Sequence, residues 1–206
     1  MRERRYSGLL LDFFGVCTSN MVETIDLFEL RERMRPGDFL RAWASPEGSD
    51  LYRLLELGEI EQVDWNAGFG ALLKIKADNL MKRLLLDLLP AYQVLGVVRD
   101  ARRAGIRAAV ISNSLGREPF DPYAQYDLWN AFDAVVLSTD LGVRKPDSAI
   151  FEHTVNLLGL SASECIFADD TEENLPPAEA LGMTVIHALD ELVVVPELRS
   201  LLELSR

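Results

Sequence analysis

The spacing of hydrophobic residues changes twice along this 206-residue chain. Residues 9–11 are leucines that lead directly into Asp12, which predicts a buried strand ending at that carboxylate. In the stretch that follows, the apolar residues recur at helical spacing and no strand is predicted. Short apolar runs then alternate with helical stretches, which is typical of βαβ units in a parallel sheet. We therefore predict an α/β core formed by residues 1–18 and 90–206, with residues 19–89 as a helical insert.

The bounds of the individual elements follow from the same spacing and from the Gly, Pro and Asp residues at their ends. Strands are predicted at 9–12, 107–111, 134–137, 165–168 and 183–187. Helices of the core are predicted at 92–103, 147–158, 173–181 and 196–204. Helices of the insert are predicted at 21–34, 38–45, 50–57, 64–75 and 79–89. Residues 115–131 are predicted to form an irregular loop with a short helix near its end.

The composition narrows the possible partners and compartments. Apolar residues make up 49% of the chain and charged residues 26%, as expected of a compact globular protein. The net charge of −12 argues against nucleic acid and anionic membrane surfaces as partners. No apolar stretch approaches the roughly 20 residues that span a bilayer. Cys17 and Cys165 lack metal-ligand spacing and suit a reducing compartment, so we expect a cytoplasmic protein.

Polar side chains follow four of the predicted strands. These residues are Asp12, the pair Ser112–Asn113, Lys145, and the pair Asp169–Asp170. Parallel strands present their carboxyl ends at one edge of a sheet, so side chains far apart in sequence converge there. A carboxylate can act as a covalent nucleophile, and further carboxylates can hold Mg²⁺. A lysine and a hydroxyl can orient and stabilise a phosphoryl group, so this set is suited to phosphoryl transfer.

Four motifs at these strand ends resemble those of the haloacid dehalogenase superfamily of hydrolases. They are residues 12–16 (DFFGV), residues 111–114 (ISNS), Lys145 with Pro146, and residues 169–174 (DDTEEN). Longer signatures around the third and fourth motifs, residues 137–147 (LSTDLGVRKPD) and residues 167–170 (FADD) followed by Asn174, are similar to those of bacterial sugar-phosphate phosphatases and the N-terminal phosphatase domain of soluble epoxide hydrolases. The resemblance covers nearly the whole chain. It implies a Rossmann-like α/β hydrolase core in which the helical insert is a cap domain.

The resemblance also implies a role for each motif residue. Asp12 is expected to be the nucleophile and a Mg²⁺ ligand, together with the backbone carbonyl of Phe14. Ser112 and Asn113 are expected to bind the substrate phosphate, and Lys145 to neutralise its charge. The remaining expected Mg²⁺ ligands and their supporting residue are Asp169, Asp170 and Asn174. The implied reaction is Mg²⁺-dependent hydrolysis of a small phosphorylated metabolite through an aspartyl-phosphate intermediate.

Phe14 departs from the pattern of these phosphatases, which carry a second aspartate two residues after the nucleophile. That aspartate serves as general acid and base, which is worth about 10²–10⁴-fold in rate. Three alternatives follow. The enzyme acts on good leaving groups or takes a base from the cap or the substrate; it is a metal-independent 2-haloacid dehalogenase; or it is a weak relative that binds a ligand. Because adjacent carboxylates such as Asp169 and Asp170 are costly to hold together without a cation, the sequence favours the Mg²⁺-dependent phosphatase.

Other side chains are given structural or peripheral roles. The charge runs at 29–35 and 56–61 are expected to be solvated helix faces. Large apolar residues at helical spacing are expected in the core of the insert: Trp43, Trp65, Phe69 and Met81. Residues of the loop after the second motif are candidates for substrate contact: Arg117, Tyr123, Tyr126 and Trp129.

Overall fold

The computed structural model describes residues 5–204, so residues 1–4 and 205–206 of the predicted core lie outside the described part. A five-stranded parallel sheet forms the centre of the molecule, in the order β3-β2-β1-β4-β5. The strands are β1 (Gly8–Asp12), β2 (Arg107–Ser112), β3 (Ala134–Leu137), β4 (Cys165–Asp169) and β5 (Thr184–His187). The first strand is therefore central, flanked by the second and the fourth. This order brings the ends of the three strands that carry Asp12, Ser112 and Asp169 side by side.

The short helix at Ser138–Leu141 was not predicted, and the other helices occur where the apolar spacing predicts them, with a few differences in extent. In the insert they are α1 (Met21–Arg31), α2 (Asp38–Trp43), α3 (Pro46–Glu56), α4 (Gln62–Leu73) and α5 (Leu80–Leu84). In the core they are α6 (Tyr92–Arg103), α7 (Leu128–Ala131), α8 (Ser138–Leu141), α9 (Ser148–Leu158), α10 (Leu175–Ala180) and α11 (Glu191–Leu201). Within residues 5–204, no helix has both the length and the apolar character needed to cross a bilayer.

Helices cover both faces of the sheet. Because successive strand residues point to opposite faces, Leu9 and Leu11 pack with α6 and α11, whereas Leu10 packs with α9 and α10. All three leucines are fully buried. The continuous apolar run before Asp12 is thus explained by a strand buried on both sides. The prediction of a parallel α/β core is confirmed.

The helical insert has a separate hydrophobic cluster, which Leu115 from the α/β core also joins. Buried side chains from all five of its helices meet there, among them Phe28, Phe39, Trp65, Phe69 and Met81. The chain leaves and re-enters the sheet through two adjacent segments, which pair at Thr18 and Pro90. We describe helices α1–α5 as the cap from here on.

Two prolines mark differences between the predicted and the observed helices. Helix α3 begins at Pro46 rather than at residue 50, because the Ser45 side chain caps it and proline is favoured in the first turn. Helix α11 begins at Glu191 and contains Pro196, which was predicted to be its start. The Asp190 carboxylate accepts a hydrogen bond from the Leu192 N–H and fixes the earlier start. The helix predicted at 79–89 is limited to α5.

Candidate functional site

A buried lysine joins two of the carboxylates at the edge of the sheet. Lys145 Nζ donates hydrogen bonds to Asp12 Oδ1 at 2.5 Å and to Asp169 Oδ2 at 2.6 Å. Lys145 is 1% exposed and Asp169 is fully buried. These residues come from three different segments, and the parallel order of the strands is what brings them together. The predicted convergence of the motifs is therefore observed.

Asn113 holds the backbone of Lys145 in place. Its Oδ1 accepts a hydrogen bond from the Lys145 N–H at 2.8 Å, and its Nδ2 donates one to the Lys145 carbonyl at 3.0 Å. One amide side chain thus satisfies both backbone groups of a loop residue that no strand or helix supports. Asn113 was predicted to contact the substrate, and this stays a prediction; the observed contacts position the lysine.

Asp169 and Asp170 are adjacent in the chain but have different partners. Asp169 Oδ1 accepts hydrogen bonds from the Thr171 N–H at 2.8 Å and from Asn174 Nδ2 at 3.1 Å. The Asp170 carboxylate packs directly against the Cα of Gly15, where a Cβ would overlap it. Gly15 has φ of +84°, so this position needs glycine both for its backbone conformation and for space.

Three carboxylates with one ammonium between them form a candidate cation site. Asp12, Asp169 and Asp170 each place an oxygen within 4.8 Å of the others. Burial raises the pKa of Asp12 to about 8, and the charges of Asp169 and Asp170 add to this while Lys145 opposes it. Burial also lowers the pKa of Lys145, but Asp12 and Asp169 outweigh that effect and raise it above its usual value. The three carboxylates of the cluster thus outnumber its single ammonium group. Their hard oxygen donors fit Mg²⁺.

A cavity of about 390 Å³ lies between these carboxylates and the cap. On the sheet side its lining is polar: Asp12, Asn113, Lys145, Asp170, Thr171, Glu173 and Asn174. Most of the apolar and aromatic lining comes from the cap, namely Met21, Ile25, Phe39, Trp43 and Tyr52, and the core adds Phe14 and Leu115. Trp43 is 46% exposed and lines this cavity, so its predicted place in the cap core is wrong. The predictions for Trp65, Phe69 and Met81 are confirmed.

Ser112 lies at the end of β2, but it is not among the described residues that line the cavity. Its Oγ is fully buried and lies 3.0 Å from the hydroxyl of Tyr123. Tyr123 in turn packs against the ring of Phe13, with ring centroids 4.6 Å apart. A phosphate contact by Ser112 stays a prediction. The loop candidates Arg117 and Trp129 pair with each other at 5.8 Å, guanidinium to ring.

The sequence did not indicate that two charged residues, Glu56 and Arg144, line the cavity. Glu56, the last residue of α3, pairs with Arg144 through Oε2 and Nε at 3.0 Å, and its side chain is 15% exposed. Its charge run was predicted to be solvated, which is wrong for Glu56. It is equally wrong for Glu29, which is 2% exposed and accepts hydrogen bonds from the Gly37 and Phe39 N–H groups. A glutamate in a charged helical run carries no signal that another segment covers it.

Comparison with known proteins agrees with the fold and the motifs. The family model of haloacid dehalogenase-like hydrolases matches residues 6–182. A sesquiterpene phosphatase from Aspergillus oryzae is 28% identical over 156 residues, which cover 74% of this chain and 80% of that protein. The alignment with an acyl-CoA dehydrogenase family member from Mus musculus covers 97% of this chain but 19% of that protein.

Solved structures share the fold at low sequence identity. A predicted HAD-like hydrolase from Porphyromonas gingivalis has a TM-score of 0.74 at 21% identity, covering 98% of this chain and 100% of that one. A HAD family enzyme from Bacteroides thetaiotaomicron, in complex with magnesium and inorganic phosphate, has a TM-score of 0.64 at 18% identity, covering 88% and 93%. An L-2-haloacid dehalogenase from Xanthobacter autotrophicus has a TM-score of 0.66 at 17% identity, covering 95% and 83%. Because enzymes with different reactions share it, the fold alone does not assign the reaction.

Proposed function

This chain belongs to the haloacid dehalogenase-like hydrolases, and we propose that it is a Mg²⁺-dependent phosphatase that forms an aspartyl-phosphate intermediate. One observation carries the proposal: the buried Asp12–Lys145–Asp169 cluster with Asp170 beside it. Displacing halide from carbon does not need a cluster of three carboxylates. The name of the Aspergillus oryzae relative and the magnesium and phosphate bound to the Bacteroides thetaiotaomicron enzyme support the same assignment.

Asp12 acts as the nucleophile in this proposal. Its Oδ attacks the phosphorus of the substrate, the bond to the leaving oxygen breaks, and water later hydrolyses the acyl phosphate. The Lys145 ammonium at 2.5 Å favours the ionised form of Asp12 and offsets repulsion between it and the anionic phosphoryl group. Asn113 and Asn174 hold Lys145 and Asp169 in position through the hydrogen bonds described above.

The expected ligands of Mg²⁺ are Asp12, Asp169, Asp170 and the carbonyl of Phe14. Bound there, the cation supplies positive charge that stabilises the transferring phosphoryl group. Asp169 is already engaged by Lys145, Thr171 and Asn174, so Asp12 and Asp170 have the carboxylate oxygens best available to it.

The cavity walls favour a substrate whose organic part is apolar and carries no second charge. In the part of the chain that the structure describes, the cations lining the cavity are Arg144 and Lys145, and both are paired with carboxylates. The cap side contributes Trp43, Tyr52 and Phe39. We therefore place alkyl, aryl and prenyl monophosphates above hexose phosphates as candidate substrates.

The test is a substrate panel assayed with Mg²⁺ and with EDTA. The panel contains p-nitrophenyl phosphate, a prenyl phosphate, a hexose phosphate and 2-chloropropionate. Mg²⁺-dependent phosphate release that is lost in Asp12→Asn supports the proposal. Metal-independent halide release from 2-chloropropionate would instead establish a dehalogenase. Absence of turnover on every phosphate, together with stabilisation of the fold by Mg²⁺ and phosphate, would establish a binding protein.

A further inference from the structure

The aromatic residue at position 14 leaves the proposed reaction without a general acid at the place where related phosphatases carry one. Phe14 lines the cavity, and its ring packs edge-on against Phe13 at 4.8 Å. It offers no proton. In the described part of the chain, the carboxyl groups lining the cavity besides Asp12 and Asp170 belong to Glu56 and Glu173. Glu173 is exposed in the turn that follows Asp170, whereas Glu56 is the partly buried last residue of α3 and belongs to the cap.

Glu56 is fixed to the core at both its backbone and its side chain. Its carbonyl accepts a hydrogen bond from Ser138 Oγ at 2.5 Å, and the same Oγ accepts one from the Ser114 N–H at 2.8 Å. Its Oε2 lies 3.0 Å from Arg144 Nε, on the residue preceding Lys145. The end of α3 is therefore held against the loop that carries the lysine of the site.

One oxygen of Glu56 is buried without a hydrogen bond. Oε2 accepts none from the described residues, because its contact with Arg144 lacks hydrogen-bond geometry; the Arg144 Nε–H is directed to the Lys145 carbonyl at 3.2 Å. A buried carboxylate oxygen without a donor is unfavourable. A hydroxyl of a bound ligand could donate a hydrogen bond to it.

We propose that Glu56 is the general acid and base of this enzyme, supplied by the cap in place of the missing carboxylate at position 14. The proposal rests on the phosphatase function proposed above. The charged and titratable groups that face Glu56 are Arg144 and Lys145 from the core and Tyr52 from its own helix. Burial raises the pKa of Glu56 above its usual value, although both cations oppose it, and a raised pKa suits a carboxyl group that must donate a proton.

The two half-reactions balance with Glu56 in this role. In the first, Asp12 bonds to phosphorus, the P–O bond to the leaving group breaks, and the leaving oxygen takes the proton of Glu56. In the second, the Glu56 carboxylate takes a proton from water, the water oxygen bonds to phosphorus, and the P–O bond to Asp12 breaks. The net reaction consumes one water and releases an alcohol and inorganic phosphate. Asp12 and Glu56 return to their starting forms.

The test compares Glu56→Gln with the unmodified enzyme on two substrates, an alkyl phosphate and p-nitrophenyl phosphate, both with Mg²⁺. An alkoxide needs protonation as it leaves and p-nitrophenolate does not. We expect kcat/KM of Glu56→Gln to fall about 10²–10⁴-fold on the alkyl phosphate and to change little on p-nitrophenyl phosphate. The shared second step is also slowed, so p-nitrophenyl phosphate should show a burst of about one p-nitrophenolate per enzyme.

Arg144→Met is the matched control, since it breaks the same ion pair and keeps the carboxyl group. We expect kcat/KM of Arg144→Met to fall by the same factor on both substrates, because this variant changes only how the cap contacts the core. Equal losses of Glu56→Gln on both substrates, without a burst, would overturn the proposal and leave Glu56 as a docking residue. The proposal would also be overturned if Glu173→Gln, and not Glu56→Gln, lost kcat/KM on the alkyl phosphate but not on p-nitrophenyl phosphate. The phosphatase assignment itself fails only if the unmodified enzyme hydrolyses neither substrate.

Discussion

At Gly15, the addition of a single methyl group should remove cation binding although every proposed ligand residue is kept. Its φ is +84°, and a Cβ built there overlaps Asp170 Oδ2 and lies 2.8 Å from Asp170 Cγ. The left-handed backbone conformation costs an L-residue about 1–2 kcal/mol. At about 2–4 °C per kcal/mol for a chain of this size, Gly15→Ala should lower Tm by about 2–8 °C. The carboxylate must also move, so the position of a proposed ligand is lost.

Gly105→Ala provides the matched control. Gly105 has φ of +83°, and among residues 5–204, its two chain neighbours aside, no heavy atom lies within 4 Å of a Cβ built there. Alanine at this position has the same backbone strain as alanine at position 15, but it lies just after the end of α6, away from the site. A ligand at 100 times its Kd stabilises a fold by about 2.7 kcal/mol, which is about 5–11 °C here.

The assay is thermal denaturation with increasing Mg²⁺, accompanied by phosphatase activity. Both variants should lose the same few degrees without the cation. Gly105→Ala should keep the increase in Tm caused by Mg²⁺, and Gly15→Ala should lose most of that increase together with its turnover. Retention of both by Gly15→Ala would refute the assignment of Asp170 as a ligand.

Four further predictions follow from the same site. Asn113→Ala removes two hydrogen bonds from the Lys145 backbone and should lower the free energy of unfolding by about 1–3 kcal/mol in urea denaturation; no change would show that the loop holds itself. Phe14→Asp should restore part of the alkyl phosphatase activity lost in Glu56→Gln, measured as kcat/KM, and no gain would indicate that position 14 cannot reach the leaving oxygen. Trp43→Ala should raise KM for a prenyl phosphate more than for p-nitrophenyl phosphate; equal effects would argue against an apolar subsite. Because the pKa of Glu56 is raised in the folded state from its ordinary 4.5, its protonation stabilises the fold at low pH, and that contribution is lost as pH rises. The Tm of the unmodified protein relative to Glu56→Gln should therefore fall as the pH rises above 4.5, and a rise would contradict the direction of the shift.

The strands and the edge of the sheet that bears the site were predictable from the sequence. A parallel strand buried on both faces shows as an unbroken apolar run, and residues 9–11 form one. Since all parallel strands end at the same edge, the residues that follow them had to converge. That Asp12, Lys145 and Asp169 lie at one edge was therefore predictable, whereas their direct contact depends on the strand order, which places β1 beside β4. Their roles in catalysis stay predictions.

Contacts between separately folded segments were decided only by the tertiary structure. The sequence shows Glu56 as one charge in a helical run, and nothing in its spacing points to Arg144 or Ser138. Trp43 has the helical spacing of a core residue, yet the docking of the cap leaves it in the cavity wall. The physical reason is that periodicity reports which face of an element is apolar, whereas the element that covers a polar residue is set by packing across the chain.

The short segment at the end of β1 shows both what the sequence predicts and what only the tertiary packing decides. The sequence by itself determined that a buried strand stops at Asp12 and that an aromatic residue stands at position 14. The tertiary structure decided that position 15 must be glycine, because the carboxylate of Asp170 occupies the space of a Cβ there. It also decided that a glutamate from the cap lines the same cavity. Local spacing encodes the strand and its carboxylate, because burial of a strand is a local pattern. The partners of that carboxylate depend on how distant segments pack, which no local pattern records.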